Sequence, residues 1–152
     1  MAGIIFRKAS DADLMDIVRL LADDPLGRTR EVLTDPPDPR YRAAFAAIAA
    51  DPNQLLAVAD DAGAVAGCMQ LTFVPGLSRT GLTRGQIESV RIAAGYRGAG
   101  LGRQFFEWAF ERFRERGCAI VQVTSDKSRT EALRFYRSLG FEASHEGLKK
   151  SL

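Results

Sequence analysis

The chain has 152 residues, 46% of them hydrophobic and 26% charged, with a formal net charge of +2; this is the profile of one globular domain spanning 1–152, large enough for its own core. So mild a positive balance, with a sequence pI near 8.7, argues against a nucleic-acid partner and suits a polyanionic small ligand. No stretch approaches the roughly 18 apolar residues of a membrane span, and Met1–Lys8 lacks the apolar core of a signal peptide, so a cytoplasmic protein without a membrane partner is expected.

Ile4–Lys8 reads as a first strand. Ser10 then caps a helix whose first turn carries Asp11 and Asp13, and Leu14, Ile17, Val18 and Leu21 recur at helical spacing. Asp23-Asp24-Pro25-Leu26-Gly27 stops it. Residues 23–40 carry Pro25, Pro36, Pro37 and Pro39 and predict a long loop. Arg40–Ala50 predicts a helix with Tyr41, Phe45 and Ile48 on one side. Leu55–Ala59 and Val65–Val74 predict a hairpin turning at Asp60–Gly63. Strict alternation in the second strand puts Val65, Gly67, Met69, Leu71 and Phe73 on one face and Ala66, Cys68, Gln70 and Thr72 on the other.

Residues 75–85 form a second loop, rich in Gly and Arg, which leads into a central strand at Ile87–Ala93. A helix from Ala99 follows, apolar over more than half its circumference through Leu101, Phe105, Phe106, Trp108, Ala109, Phe110 and Phe113, and closed by Gly117. Its aromatic stripe is expected in the core. Ala119–Thr124 predicts a buried strand and Arg129–Leu139 a last long helix. Phe141–Ala143 predicts another strand, with Leu148–Leu152 as its partner. Cys68 and Cys118, far apart in apolar runs, read as buried thiols, without a disulfide. A single histidine, His145, leaves no ligand set for a metal centre.

The chemistry-bearing stretch is Arg97-Gly98-Ala99-Gly100-Leu101-Gly102, between the central strand and the long helix. Glycines let the backbone approach an anion, and the first N–H groups of a helix have no internal partner. An ordinary strand-to-helix turn is the plain alternative. The glycine spacing does not match a dinucleotide fingerprint, and no Gly-Lys-Ser or Gly-Lys-Thr of a triphosphate loop occurs. The stretch resembles the pyrophosphate loop of the GNAT N-acetyltransferase superfamily, Arg/Gln-x-x-Gly-x-Gly/Ala, with Arg97, Gly100 and Gly102 at the motif positions. A second feature, Ala132 to Phe141, resembles the same family's Ala-x-x-Phe-Tyr-x-x-x-Gly-Phe. The resemblance covers essentially the full chain. It implies an α/β (α+β) GNAT fold, with a mixed, mostly antiparallel twisted sheet of six to seven strands flanked by about four helices.

The resemblance also implies an acetyl-coenzyme A-dependent transferase acting on an amine by direct attack, with acetyl-CoA as cosubstrate and no metal. It assigns the pyrophosphate to N–H groups of Arg97, Gly98, Ala99, Gly100, Leu101, Gly102 and Arg103. It assigns the pantetheine arm to backbone groups of Val90, Arg91 and Ile92. It makes Tyr136 the general acid; packing on an amphipathic helix is its bland alternative. Where many members carry a cofactor-contacting asparagine, this chain has Arg129; with Lys127, it becomes a candidate for the coenzyme's phosphates. Strand alternation would put Glu88, Val90 and Ile92 on one face and make Glu88 a buried base, directly or through water; a salt bridge to Arg84 or Arg91 is the alternative. Arg28, Arg30 and Glu31 of the first loop, and Arg79 and Arg84 of the second, are substrate-contact candidates or solvated charges; Arg30, Arg79 and Arg84 would suit an acceptor carboxylate. Cys118 lies outside both motifs, which argues against a covalent intermediate. Two rivals stay open, a non-catalytic acyl-CoA-binding regulatory module and an acetyltransferase acting on aminoacyl-tRNA, and so does a homodimer.

Overall fold

Apolar alternation and two helical stripes organise residues 3–152, which a computed structural model describes. The elements are β1 (Ile4–Lys8), α1 (Leu14–Ala22), α2 (Gly27–Arg30), α3 (Pro39–Ala50), β2 (Gln54–Asp61), β3 (Ala64–Val74), a one-turn α4 (Ser78–Gly81), β4 (Arg84–Ile92), α5 (Leu101–Glu115), β5 (Ile120–Val123) and α6 (Thr130–Ser138). The strands form one sheet in the order β1-β2-β3-β4-β5, antiparallel except for the parallel β4–β5 pair.

Each face of the sheet is covered. On one side α5 buries Leu101, Phe105, Phe106, Ala109 and Phe113 against Ala57, Met69, Leu71, Phe73 and Ile87, with Phe135 and Tyr136 of α6 packed beside them. On the other, Ile17 and Leu20 of α1 and Phe45 of α3 meet Val58 and Cys68. Helix α5 ends as its sequence requires. Gly117 takes φ 73°, its N–H donates to Arg114 O at 3.0 Å, and Cys118 N–H donates to Phe113 O at 3.0 Å.

The structure corrects several expectations: the loop 75–85 contains the one-turn α4, and β5, expected to be buried, alternates between exposed and half-buried residues. Five strands are present among the described residues, not six to seven, because neither Phe141–Ala143 nor the tail pairs with the sheet. Phe141 instead sets its ring against Phe106, Phe110 and Tyr136, while Leu148 is exposed. Residues 23–40 are not one long loop, since Asp24 Oδ1 accepts from Leu26 and Gly27 N–H at 2.8 and 2.9 Å and starts α2. The alternation of β3 also breaks. Ala59 pairs with Gly67 but Asp60 with Val65, so Ala66 is an extra residue. Ala66 accordingly lies in the α5-side core with Met69 and Leu71, while Cys68 and Val65 face α1.

Candidate active site

A second irregularity decides the site. Cys68 pairs with Arg91 and Gln70 with Glu88, so β4 carries one residue more than β3 between these pairs. Ser89 supplies it, at φ 56°, a left-handed conformation unusual for a residue with a side chain. The bulge inverts side-chain phase along β4. Ile87, Val90 and Ile92 all pack on the α5-side core. Glu88 is therefore not on their face, and it is exposed. The expected burial of Glu88 is corrected. Glu88 makes no salt bridge to Arg84 or Arg91 among the described residues; Arg91 pairs with Asp24 instead.

β5 accompanies β4 only from Arg84 to Ile87. Beyond that the two parallel strands part, and residues 88–92 of β4 have no neighbour strand on that edge. Ala93 N–H donates to Ala66 O at 2.8 Å on the β3 side, so by alternation Val90 and Ile92 present their backbone groups to the open edge. Their carbonyls are occupied by side chains: Arg91 Nη1 donates to Val90 O at 2.8 Å and Arg97 Nε to Ile92 O at 3.0 Å.

The loop at the end of β4 has the conformation its glycines allow. Gly98 and Gly100 take φ 81° and 84°, and Gly100 caps α5. Among the described residues no acceptor takes the N–H groups of Gly98 through Arg103; the next backbone donor, Gln104 N–H, bonds to Gly100 O at 3.2 Å. These six free donors at a helix N-terminus are what an anion needs. Gly102 has a different role, because a Cβ there would stand 3.3 Å from the Phe135 ring. It lets α5 and α6 approach. Arg103 donates through Nη2 to Ser138 O and Oγ at 3.3 and 3.2 Å, fastening the same two helices. Coenzyme A fits these groups by the chemistry of its parts: a diphosphate for six N–H donors, an amide-bearing arm for an unpaired strand edge.

Tyr136 is half-buried on α6, its ring against Phe106, Phe135 and Phe141. Burial pushes its phenol above the ordinary value, and the charges of Arg91 and Arg129 pull the other way. Those two arginines meet at Asp24, a residue that reads in the sequence only as a helix stop. Arg129 Nη2 donates to Asp24 Oδ1 at 3.1 Å, and Arg91 Nη2 lies 2.9 Å from Oδ2. Burial raises the Asp24 carboxyl, but the Gly27 and Leu26 N–H groups and the two arginines outweigh it and hold it below the usual range. Arg129 is thus part of a cluster rather than a free cation, while Lys127 is exposed.

Other candidates disperse. Arg28 and Arg30 are exposed on α2, with Arg30 close enough for its charge to act on Asp126, and Glu31 accepts from Tyr41 Oη at 2.9 Å. Arg84 opens β4 opposite Ile120, seven residues and roughly 23 Å of strand from Arg91. Arg79 sits in the left-handed turn of α4 at φ 55°. Burial pushes the Cys68 thiol up to about 12 and raises that of Cys118. Among the described residues no three His, Cys, Asp or Glu side chains gather as a metal site, and no helix is long and apolar enough to cross a membrane.

Comparison with known proteins agrees with this geometry. The family described as Acetyltransferase (GNAT) family matches residues 15–141. Aminoalkylphosphonate N-acetyltransferase of Salmonella typhimurium is 30% identical over 112 residues, 74% of this chain and 72% of that protein. Glucosamine 6-phosphate N-acetyltransferase of Trypanosoma brucei brucei is 35% identical over 91 residues, and the match spans only 59% of each chain. A crystal structure described as a transcriptional regulator from Bacillus halodurans C-125 superposes with a TM-score of 0.95 at 46% identity, covering 98% of this chain and 99% of that one.

Proposed function

This chain belongs to the GNAT acetyltransferase family, and from that premise we propose that it moves an acetyl group from acetyl-CoA to a primary amine bearing a phosphate or phosphonate. The observation that carries the reading is the row of six unpaired N–H groups on Gly98–Arg103 beside the uncovered edge of β4. The acceptor class is taken from the two curated relatives, whose names specify a sugar phosphate and an aminoalkylphosphonate.

When bound, the coenzyme supplies an acetyl group activated as a thioester. The loop N–H groups and Arg97 hold the diphosphate. Backbone groups of Val90 and Ile92 hold the arm as an added strand, which requires Arg91 Nη1 and Arg97 Nε to release the two carbonyls they occupy, while the backbone groups of Arg91 face β3. Tyr136 Oη keeps its proton at neutral pH, because a phenol ordinarily titrates near 10 and here burial raises it. That proton is available to a departing thiolate, which is basic up to about pH 8.5. Glu88, exposed at the bulge, serves the ammonium of the acceptor through water. Raised thiols at Cys68 and Cys118 support direct attack without an acyl-enzyme.

One observation favours a second reading: the Bacillus relative is called a transcriptional regulator. A coenzyme-binding regulator requires no acceptor and no proton at Tyr136. Thiol release from acetyl-CoA across a panel of amines separates the two. The transferase reading expects turnover that depends on amine and is greatest with phosphonate- or phosphate-bearing amines. Coenzyme binding without amine-dependent thiol release would contradict it.

A further inference from the structure

Arg91 and Arg129 share one carboxylate. Asp24 faces both, yet its Oδ1 is already committed to the N–H groups of Leu26 and Gly27. Their side chains are 19%, 29% and 11% exposed for Arg91, Arg129 and Asp24. Two guanidiniums against one carboxylate leave a surplus positive charge in a largely desolvated position, which is costly unless something anionic shares it. Asp126 is held by Ser128 and feels the charges of Arg30 and Arg129, but it is within salt-bridge distance of neither. Arg91 Nε and Asp24 Oδ2 are both buried and have no hydrogen-bond partner among the described residues, although Arg91 Nη2 lies 2.9 Å from Oδ2, while Nη1 donates to Val90 O. Guanidinium forks suit the oxygens of a tetrahedral oxyanion.

The cluster lies where an acceptor needs it. Arg91 stands on the open stretch of β4, two residues past the bulge. Arg129 caps α6, and Tyr136 follows seven residues later, on the same side of that helix two turns on. Asp24 ties both to the segment after α1. The loop at Gly98–Arg103 and Arg97 provide for the coenzyme's diphosphate separately.

Resting on the acceptor class proposed above, we infer that Arg91 and Arg129, braced by Asp24, form the receptor for the phosphate or phosphonate group of the acceptor, distinct from the coenzyme's cradle. Asp24 is a positioning residue. It orients both forks and leaves one net positive charge for the ligand.

The test uses three amines matched in size, 2-aminoethylphosphonate, β-alanine and propylamine, with wild-type protein and Arg129→Gln and Arg91→Gln. The wild type favours the phosphonate. Each variant lowers that preference by about tenfold or more, as loss of a charged hydrogen bond to an oxyanion implies, and does so mainly through KM for the amine. By titration calorimetry, the affinity for 2-aminoethylphosphonate falls by the same factor in each variant, while that of Arg129→Gln for coenzyme A changes less than about threefold. The wild type alone gives an independent reading, since methylphosphonate competes with the amine and not with acetyl-CoA. Retained preference in both variants, or competition with acetyl-CoA, would overturn the inference and leave the transferase reading intact. A tenfold loss of coenzyme A affinity with preference unchanged would assign the cluster to the coenzyme instead. A wild type indifferent to the phosphonate would overturn the acceptor class and this inference together.

Discussion

Arg129 donates to the Asp24 carboxylate across 105 residues of sequence, at 3.1 Å, and so fastens the start of α6 to the end of α1. The same carboxylate accepts two N–H groups of α2 and faces Arg91. Asp24→Ala therefore removes a cap and strands two guanidiniums in one step. We expect it to lower stability by about 3 kcal/mol, read as a shift in the denaturant midpoint with an unchanged slope. Asp24→Asn, which keeps an acceptor for the two N–H groups, should cost less. Equal losses would mean that the two N–H bonds add nothing to the ion pairs with Arg91 and Arg129.

Tyr136 carries the proposed proton. Tyr136→Phe retains the ring contacts with Phe106, Phe135 and Phe141 and removes only the hydroxyl. Turnover should drop about 100-fold, with the dissociation constant for acetyl-CoA unchanged by calorimetry. Full turnover in the variant would remove Tyr136 from the chemistry.

Two glycines should fail for different reasons. Gly100 sits at φ 84° with nothing within 4 Å of a Cβ, so Gly100→Ala costs only the left-handed conformation, about 1 kcal/mol. A Cβ on Gly85 would lie 2.4 Å from the ring of Phe113, so Gly85→Ala forces that core ring aside and costs about 2 to 3 kcal/mol. Thermal unfolding of the two variants checks the order.

Acid should unfold the protein partly through Asp13. Its carboxylate accepts from Arg7 Nη1 and Nη2 at 2.8 and 2.9 Å and from Ser10 N–H at 2.7 Å. The Arg7 guanidinium above all, with the Ser10 groups, outweighs burial and holds it below the usual range. A lowered folded value means stabilisation that is complete above the unfolded value near pH 4 and is lost as pH falls through the folded one. Asp13→Asn should be less stable at neutral pH and lose less on acidification. A parallel pH profile in the variant would contradict the assignment.

The loop, the helices α1, α3, α5 and α6 and the succession of β1–β5 along the chain were legible because each rests on local signals: glycine spacing, apolar stripes and the Ala62-Gly63 turn. The side of the sheet on which Glu88 falls was not. It turns on the bulge at Ser89, and serine gives no sign of a positive φ as glycine would. The role of Asp24 was hidden for another reason, since its partners Arg91 and Arg129 lie far along the chain. The extra strands expected after Gly140 rested on Phe141, whose ring found more contact in the aromatic cluster around Phe106.

Titration calorimetry of coenzyme A against the wild-type protein and a Gly98→Val, Gly100→Val variant tests the cradle most directly. Saturable binding by the wild type, lost when branched side chains are forced onto the two left-handed positions, is the predicted result. No heat of binding in the wild type, or equal binding by both proteins, would contradict it.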